Sequence, residues 1–412
     1  MNQEQEPKGV VHSPNHGTWS AVSYEERSWV PSETSLVPRS RRREHTGPYL
    51  AAVSPAIASI DDLGLGDDTA ALAEEASAEI ARFDAEMGSE LAPFSALILR
   101  SESAASSRIE QLTASAKAIA LAEMGDQTEP NATLIVANTR AIEAAIALSD
   151  RLDEEALIDM QAALIGGSHP EWTGRWRQEQ VWIRGSNFGP HGAEYIAPHH
   201  DRVPAAMADL VEFMAREDLP AFAQAAIAHA QFETIHPFPD GNGRTGRSLV
   251  HALLRSKGLT RNVTVPTSAG LLSDTGAYFD SLTAYRCGRP AAIVELMANA
   301  TFLALGNARQ LVVDLRTIQA DWEDRIGARR HAAAWRLAER LVRYPVVDSP
   351  TLQAALDVSA PTANGAIERL VEAGVLTKVS GNYRNRKWAA NEVFAALDGF
   401  AQRAPRRALG QP

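Results

Sequence analysis

From about Asp67 onward, apolar residues return every three or four positions on an alanine-rich background. That period predicts helices over 68–88, 93–112, 114–124, 132–149 and 153–166, with Gly125, Pro130 and Gly166-Gly167 as breaks. Further helices are expected over Val203–Arg216, 220–235, 244–258, 276–287 and 290–308. Pro220 suits a first helical turn, and Phe222, Ile227, Ala230 and Thr234 follow it at helical spacing. The reading changes between Gly174 and Pro198. There Gln180–Ile183 and Ala193–Ile196 are short β-prone runs separated by a turn-rich loop, which predicts a hairpin. Residues 1–48 show no sustained period and read as a mostly extended arm, with Trp19 and Trp29 as points of attachment to the body.

The break between the helices at 220–235 and 244–258 holds the densest chemistry, His236-Pro-Phe-Pro-Asp-Gly-Asn-Gly-Arg-Thr-Gly-Arg247. Pro237 and Pro239 forbid continuation of the first helix. Asp240-Gly-Asn-Gly243 then supplies a turn in which glycines tolerate positive φ and let a ligand approach the backbone. The free amides at the start of the next helix face that turn, and a phosphate is favoured there. Arg244 and Arg247, three apart, share a helix face and can grip a polyphosphate together. Asp240 is the one carboxylate of the loop and suits magnesium. His236 is the one group that can take a proton near neutral pH, which makes it the candidate general base.

This stretch resembles the full signature of the Fic (filamentation induced by cyclic AMP) family, His-x-Phe-x-Asp-Gly-Asn-Gly-Arg-x-x-Arg, without a substitution. The resemblance implies a mainly α fold, a helical Fic core with a β-hairpin flap, and transfer of AMP from ATP to a Ser, Thr or Tyr hydroxyl of a target protein. In that reading His236 deprotonates the hydroxyl and Phe238 anchors the loop. Asp240 holds Mg2+, Gly241, Asn242 and Gly243 line the anion hole, and Arg244 and Arg247 bind the β- and γ-phosphate ends. Tyr278-Phe279 stands where the family has an aromatic pair facing the nucleotide, and stacking on adenine and packing in the core are both open to it. Ser106-Ser-Arg-Ile-Glu110 resembles the family's inhibitory helix, in which Glu110 pairs with Arg247 and occupies the place of the γ-phosphate. Gln111 departs from the pattern, which has Gly or Asn there. The flap at 180–197 implies target binding by strand addition. A possible homodimer also belongs to this picture. Two other functions stay open: removal of AMP by hydrolysis, and a DNA-binding regulator whose core senses nucleotide.

Residues from about His331 suggest a C-terminal winged helix-turn-helix domain: a helix to Arg343, a short one from Ser349-Pro350, a third over 360–373, and a wing over 375–379 and 383–388 that turns at Gly381-Asn382. The resulting division is an arm over 1–48, a helical region with the inhibitory helix over 49–170, the catalytic core over 171–310, a linker helix over 311–330, the winged helix over 331–395 and a tail over 396–412. The formal charge is −11, yet residues 331–412 carry eleven Lys and Arg against seven Asp and Glu. Lys378, Arg384, Arg386 and Lys387 cluster in the wing, while the third helix offers only Arg369, a poor set for reading bases. Cys287 is the one cysteine, which excludes an intramolecular disulfide; it reads as a buried or half-buried small side chain. His199 and His200 are adjacent and lack spaced partners, which disfavours zinc. No apolar run approaches a membrane span and no targeting segment leads the chain, so a cytoplasmic protein is expected.

Overall fold

A computed structural model describes residues 19–31, 42–89, 92–186, 188–327, 332–379 and 386–403. An antiparallel ribbon comes first, β1 (Ser23–Trp29) with β2 (Gly47–Val53), paired from Ser23 opposite Val53 to Trp29 opposite Gly47. The extended arm is thus folded in part. Alternation turns Glu25, Arg27 and Trp29 toward the body and Tyr24, Glu26 and Ser28 outward. The Arg286 carbonyl accepts a backbone bond from Val22 (2.8 Å), and Trp19 packs on Tyr285 at 5.8 Å, so the arm is tied to the body at both tryptophans.

Helices follow: α1 (Asp67–Ser89), α2 (Ala92–Ile109), α3 (Ala116–Glu123), α4 (Pro130–Ala147) and α5 (Glu154–Ile165). Side-chain caps on Ser115 and Asp153 start α3 and α5, and Pro130 is not a break but the first residue of α4. The expected hairpin is short, β3 (Trp182–Ile183) with β4 (Tyr195–Ile196). After it come α6 (Val203–Ala215), α7 (Ala221–Ile235) and α8 (Asn242–Ser256). Helix α7 is buried all round from Phe222 to Ile235 and forms the centre of the core, in contact with α1, α6, α8, α10 (Thr275–Arg286) and α11 (Ala291–Arg325). The short α9 (Thr267–Leu271) seats Gly270 against the carbonyl of Ala300, where a side chain has no room.

Helix α11 runs without a break through the place where a core helix and a separate linker were expected. No glycine or proline punctuates 308–311, and Leu311, Val312 and Leu315 keep the buried stripe going. By length and composition this helix is apolar enough to cross a membrane, and its apolar side packs on α1, α7, α9 and α10.

The C-terminal part holds α12 (Ala333–Leu341), α13 (Ser349–Leu356) and α14 (Ala360–Glu372) with a three-stranded antiparallel sheet. Its strands β5 (Val346–Asp348), β6 (Thr377–Lys378) and β7 (Lys387–Ala389) lie in the order β5-β7-β6. The turn at Gly381-Asn382 and Arg384 lie outside the described residues. Residues 396–403 are not tail. They belong to α15 (Asn391–Arg403), whose Val393, Phe394, Leu397 and Phe400 pack on α2, α3 and α11. The spacing of these four was a helical stripe visible in the sequence.

Candidate active site

The site is built where α7 stops and α8 starts. His236 caps α7 with φ 52° and ψ 61°, the left-handed region, while its amide still bonds the Phe232 carbonyl at 2.8 Å. Such a backbone is costly for a side chain larger than glycine and persists only where the surroundings hold it. Arg177 does much of that holding. Its Nε donates to the His236 carbonyl (2.8 Å), its Nη1 to the Glu179 carbonyl (2.7 Å), and its own backbone amide to the Pro237 carbonyl (2.9 Å). Burial lowers the Arg177 guanidinium to about 10, and it remains a cation at neutral pH.

Phe238 is fully buried against Trp176 and Phe232, with ring centres 5.2 and 6.2 Å away. The Asn242 side chain brackets the turn: Oδ1 accepts from the Phe238 amide (2.9 Å) and Nδ2 donates to the Phe238 carbonyl (2.8 Å). What Asn242 can offer a phosphate is therefore its backbone amide. Gly241, at φ 84°, is the N-cap of α8, so Asn242, Gly243 and Arg244 form its first turn. Gly246 lets α8 close on α7, since a Cβ there would stand 3.0 Å from Glu233 Oε1 and 3.0 Å from Phe232.

A cavity of about 480 Å³ opens on this turn, walled by His236, residues 239–244, Glu110, Leu112, Leu134, Ile165, Ser168 and His169. Asp240 is half exposed at its rim, 3.8 Å from Arg244. Burial, with the Arg177 and Arg286 guanidiniums adding to it, lowers the His236 imidazole to about 4. At neutral pH it is an uncharged proton acceptor.

Glu110 reaches this cavity from α2. That helix ends at Ile109, and Glu110 is its cap, followed by Gln111 at φ 63°. The Leu112 amide bonds the Ser107 carbonyl and the Gln111 amide the Arg108 carbonyl, each at 3.0 Å, the Schellman pattern that calls for a left-handed residue at Gln111. This explains physically why Gly or Asn would suit that position. Arg247 meets the helix end with three bonds of 2.9 Å, to Ser106 Oγ, the Ser106 carbonyl and Glu110 Oε1. Burial pushes the Glu110 carboxyl up and Arg247 more than offsets it, so the group stays below its ordinary range. Burial likewise opposes the Arg247 charge, and Glu110, with Tyr278 and Glu233, holds that guanidinium above its ordinary value. A carboxylate at a helix C-terminus also faces the negative end of the dipole, so the contact depends on Arg247.

One expected site residue is elsewhere. Tyr278 is 1% exposed and lies against α7, where its hydroxyl meets His229 Nε2 at 2.8 Å and its ring stacks on the His229 ring. The helix period, not the aromatic type, decides this: Tyr278 points into the core, and Phe279 points out, under the Arg184 guanidinium. Cys287 is exposed rather than half-buried. Ser168, His169, Arg177 and Glu233 went unnoticed in the sequence. His169 stacks on Trp172 at 4.2 Å on the far wall, and nothing local in the chain links it to the 236–247 turn.

The β3–β4 hairpin is propped by the ribbon. Trp29 meets Trp182 edge-on at 5.4 Å, the Tyr49 hydroxyl donates to Gln180 Oε1 (2.9 Å), and His191 Nε2 lies 3.2 Å from the Pro48 carbonyl. The basic cluster near the C-terminal sheet is partly engaged with the body, since Lys387 Nζ donates to the Met124 carbonyl at 3.3 Å.

Residues 151–254, which hold the 236–247 turn but not Ser106 or Glu110, match the sequence profile of the Fic/DOC family. The chain is similar to protein adenylyltransferase fic-1 of Caenorhabditis elegans, 30% identical over 112 residues that make up 26% of this chain and 20% of that one. A probable protein adenylyltransferase of Aquifex aeolicus is 36% identical over 93 residues, 20% of this chain and 29% of the relative. The chain thus spans less than a third of the curated relatives it matches. A solved Fic family protein from Desulfovibrio desulfuricans shares the fold, with a TM-score of 0.51 at 22% identity over 82% of this chain and 98% of that one.

Proposed function

We propose that this chain, with its Fic domain, transfers AMP from ATP to a hydroxyl side chain of a target protein and holds itself in check through Glu110. The observation that carries the reading is the cavity itself: a neutral imidazole, the first turn of α8 and Arg244 converge on it, and the next arginine, Arg247, is held by a carboxylate where a terminal phosphate would go. The names of the relatives support the same chemistry.

In the reaction, His236 takes the proton of the target hydroxyl. The freed oxygen attacks the α-phosphorus in line, and the bond to the leaving pyrophosphate breaks. The amides of Asn242, Gly243 and Arg244 receive phosphate oxygens, and the two arginines neutralise the outer phosphates. Asp240 fits a magnesium ion carried on the polyphosphate, because it is a lone, half-exposed carboxylate at the cavity rim and such an ion takes few protein ligands. When bound, the ion neutralises phosphate charge. The hairpin β3–β4 and its surroundings present the target segment beside His236.

The test is transfer of label from α-labelled ATP, with magnesium, to the protein and to a cell extract. Glu110→Gly should label strongly and the native chain weakly, and His236→Ala added to Glu110→Gly should silence it. No label from Glu110→Gly in any extract would overturn the reading.

A further inference from the structure

We propose that Glu233 is a positioning residue for His236, and that the two act as a carboxylate–imidazole pair in which Glu233 governs how readily His236 accepts a proton. The inference rests on the AMP-transfer reading for its chemistry and on geometry for its existence.

Glu233 and His236 are three apart at the end of α7. The left-handed turn at His236 brings its imidazole back over the last helical turn, and Glu233 Oε2 stands 3.7 Å from His236 Nδ1. The Glu233 side chain is only 7% exposed, in a helix end that is buried throughout. Glu233 Oε1 has no hydrogen-bond partner among the described residues, and the Glu233 backbone as well as its carboxyl lies against the His236 imidazole. An unpartnered buried carboxyl is expensive, and a leucine would fill the same space without that cost. The neighbouring helix is shaped around the group, since Gly246 leaves room where a Cβ would come 3.0 Å from Oε1.

Other charges face the pair. Arg247 on α8, Glu110 at the end of α2 and Arg286 on α10 act on Glu233, while Arg177, Arg286 and Glu110 act on His236. Burial dominates both: it raises the Glu233 carboxyl to about 7 and lowers the imidazole to about 4. An imidazole so lowered is a weak base by itself. A carboxylate beside Nδ1 corrects this, because it stabilises the imidazolium that forms when the target O–H bond breaks and the Nε2–H bond forms. The proton stays on His236, and Glu233 accepts a hydrogen bond from Nδ1–H without taking the proton, after a small rotation closes the 3.7 Å gap.

The proposal makes the base strength of His236 depend on the ionisation of Glu233. In the Glu110→Gly protein, the acid limb of the transfer rate should therefore fall near neutral pH, where Glu233 titrates, and not near pH 4, where the imidazole by itself would titrate. Glu233→Gln keeps the shape and removes the charge. It should lower kcat by about tenfold or more with little change in KM for ATP, and abolish the limb near neutrality. A second readout needs no turnover: histidine-labelled NMR of the native chain and of Glu233→Gln. The His236 resonances of the native chain should follow a titration near neutral pH that is missing in the variant. A His236 titration curve that Glu233→Gln leaves unchanged overturns the pair, whatever the transfer assay gives. Absence of transfer in Glu110→Gly itself would count against the AMP-transfer reading and leave the NMR result to decide this one.

Discussion

Gly243 offers a way to measure the Glu110–Arg247 contact without any substrate. It sits in the first turn of α8 with helical backbone, and a methyl group there would overlap the Glu110 carboxylate and lie 3.1 Å from Arg247 Nη1. Gly243→Ala should therefore push Glu110 off Arg247. A hydrogen bond to a charged group contributes about 1.5–3 kcal/mol, and the lower end applies because the Glu110 side chain is 40% exposed and screened. Against this, alanine is better than glycine in a helix by about 0.5–1 kcal/mol. In the native background the substitution should cost about 1 kcal/mol, whereas in Glu110→Gly, with nothing left to displace, it should gain about 0.5–1 kcal/mol. The double-mutant cycle then has a coupling of about 1.5 kcal/mol, readable from the urea midpoints of the four proteins. In label transfer Gly243→Ala should stay inactive although Glu110 is released, because the methyl group occupies phosphate space. An equal cost of Gly243→Ala in both backgrounds would refute the contact as drawn.

Gln111→Gly should stabilise the chain by about 1 kcal/mol, the cost of holding a side chain in the left-handed region, and should depress basal label transfer by fixing Glu110 more firmly; a lower melting temperature would contradict the helix end described. Arg177→Lys keeps a charge but loses the fork that spans the His236 and Glu179 carbonyls. Transfer by Glu110→Gly/Arg177→Lys should fall tenfold or more, by about 1.4 kcal/mol in barrier, while ATP affinity holds within a factor of about two; equal losses in both would mean that Arg177 supports the fold at large.

The 236–247 turn could be read from the sequence because its chemistry is contiguous: two prolines, three glycines and an N-terminal helical turn dictate one local shape. Glu110 was legible by resemblance, and its geometry came from the helix end at Gln111. The far wall of the cavity was not legible, since Ser168 and His169 reach it only through the packing of α4 and α5 on α8. Tyr278 was misplaced for a related reason. An aromatic pair in a helix has one member inside and one outside, and only the neighbours decide which faces a ligand. Glu233 escaped notice because a lone glutamate in a helix reads as solvated, and its burial arises from α8 closing on it at Gly246. The unbroken α11 and the final helix α15 were visible as stripes, but the first was divided where nothing in the chain divides it.

The ribbon behind the flap imposes an order on synthesis. Tyr49 and Gln180, joined by a hydrogen bond in the finished protein, are 131 positions apart. At roughly 5–20 residues per second on the ribosome, β1 and β2 wait on the order of ten seconds before the hairpin that covers their inner face exists. During that interval Trp29 and Tyr49 have each other, 6.5 Å apart and edge-on, but Trp29 lacks the Trp182 ring and the Tyr49 hydroxyl lacks Gln180. The nascent chain is thus most exposed to mispairing with other chains before the hairpin at 182–196 has been made.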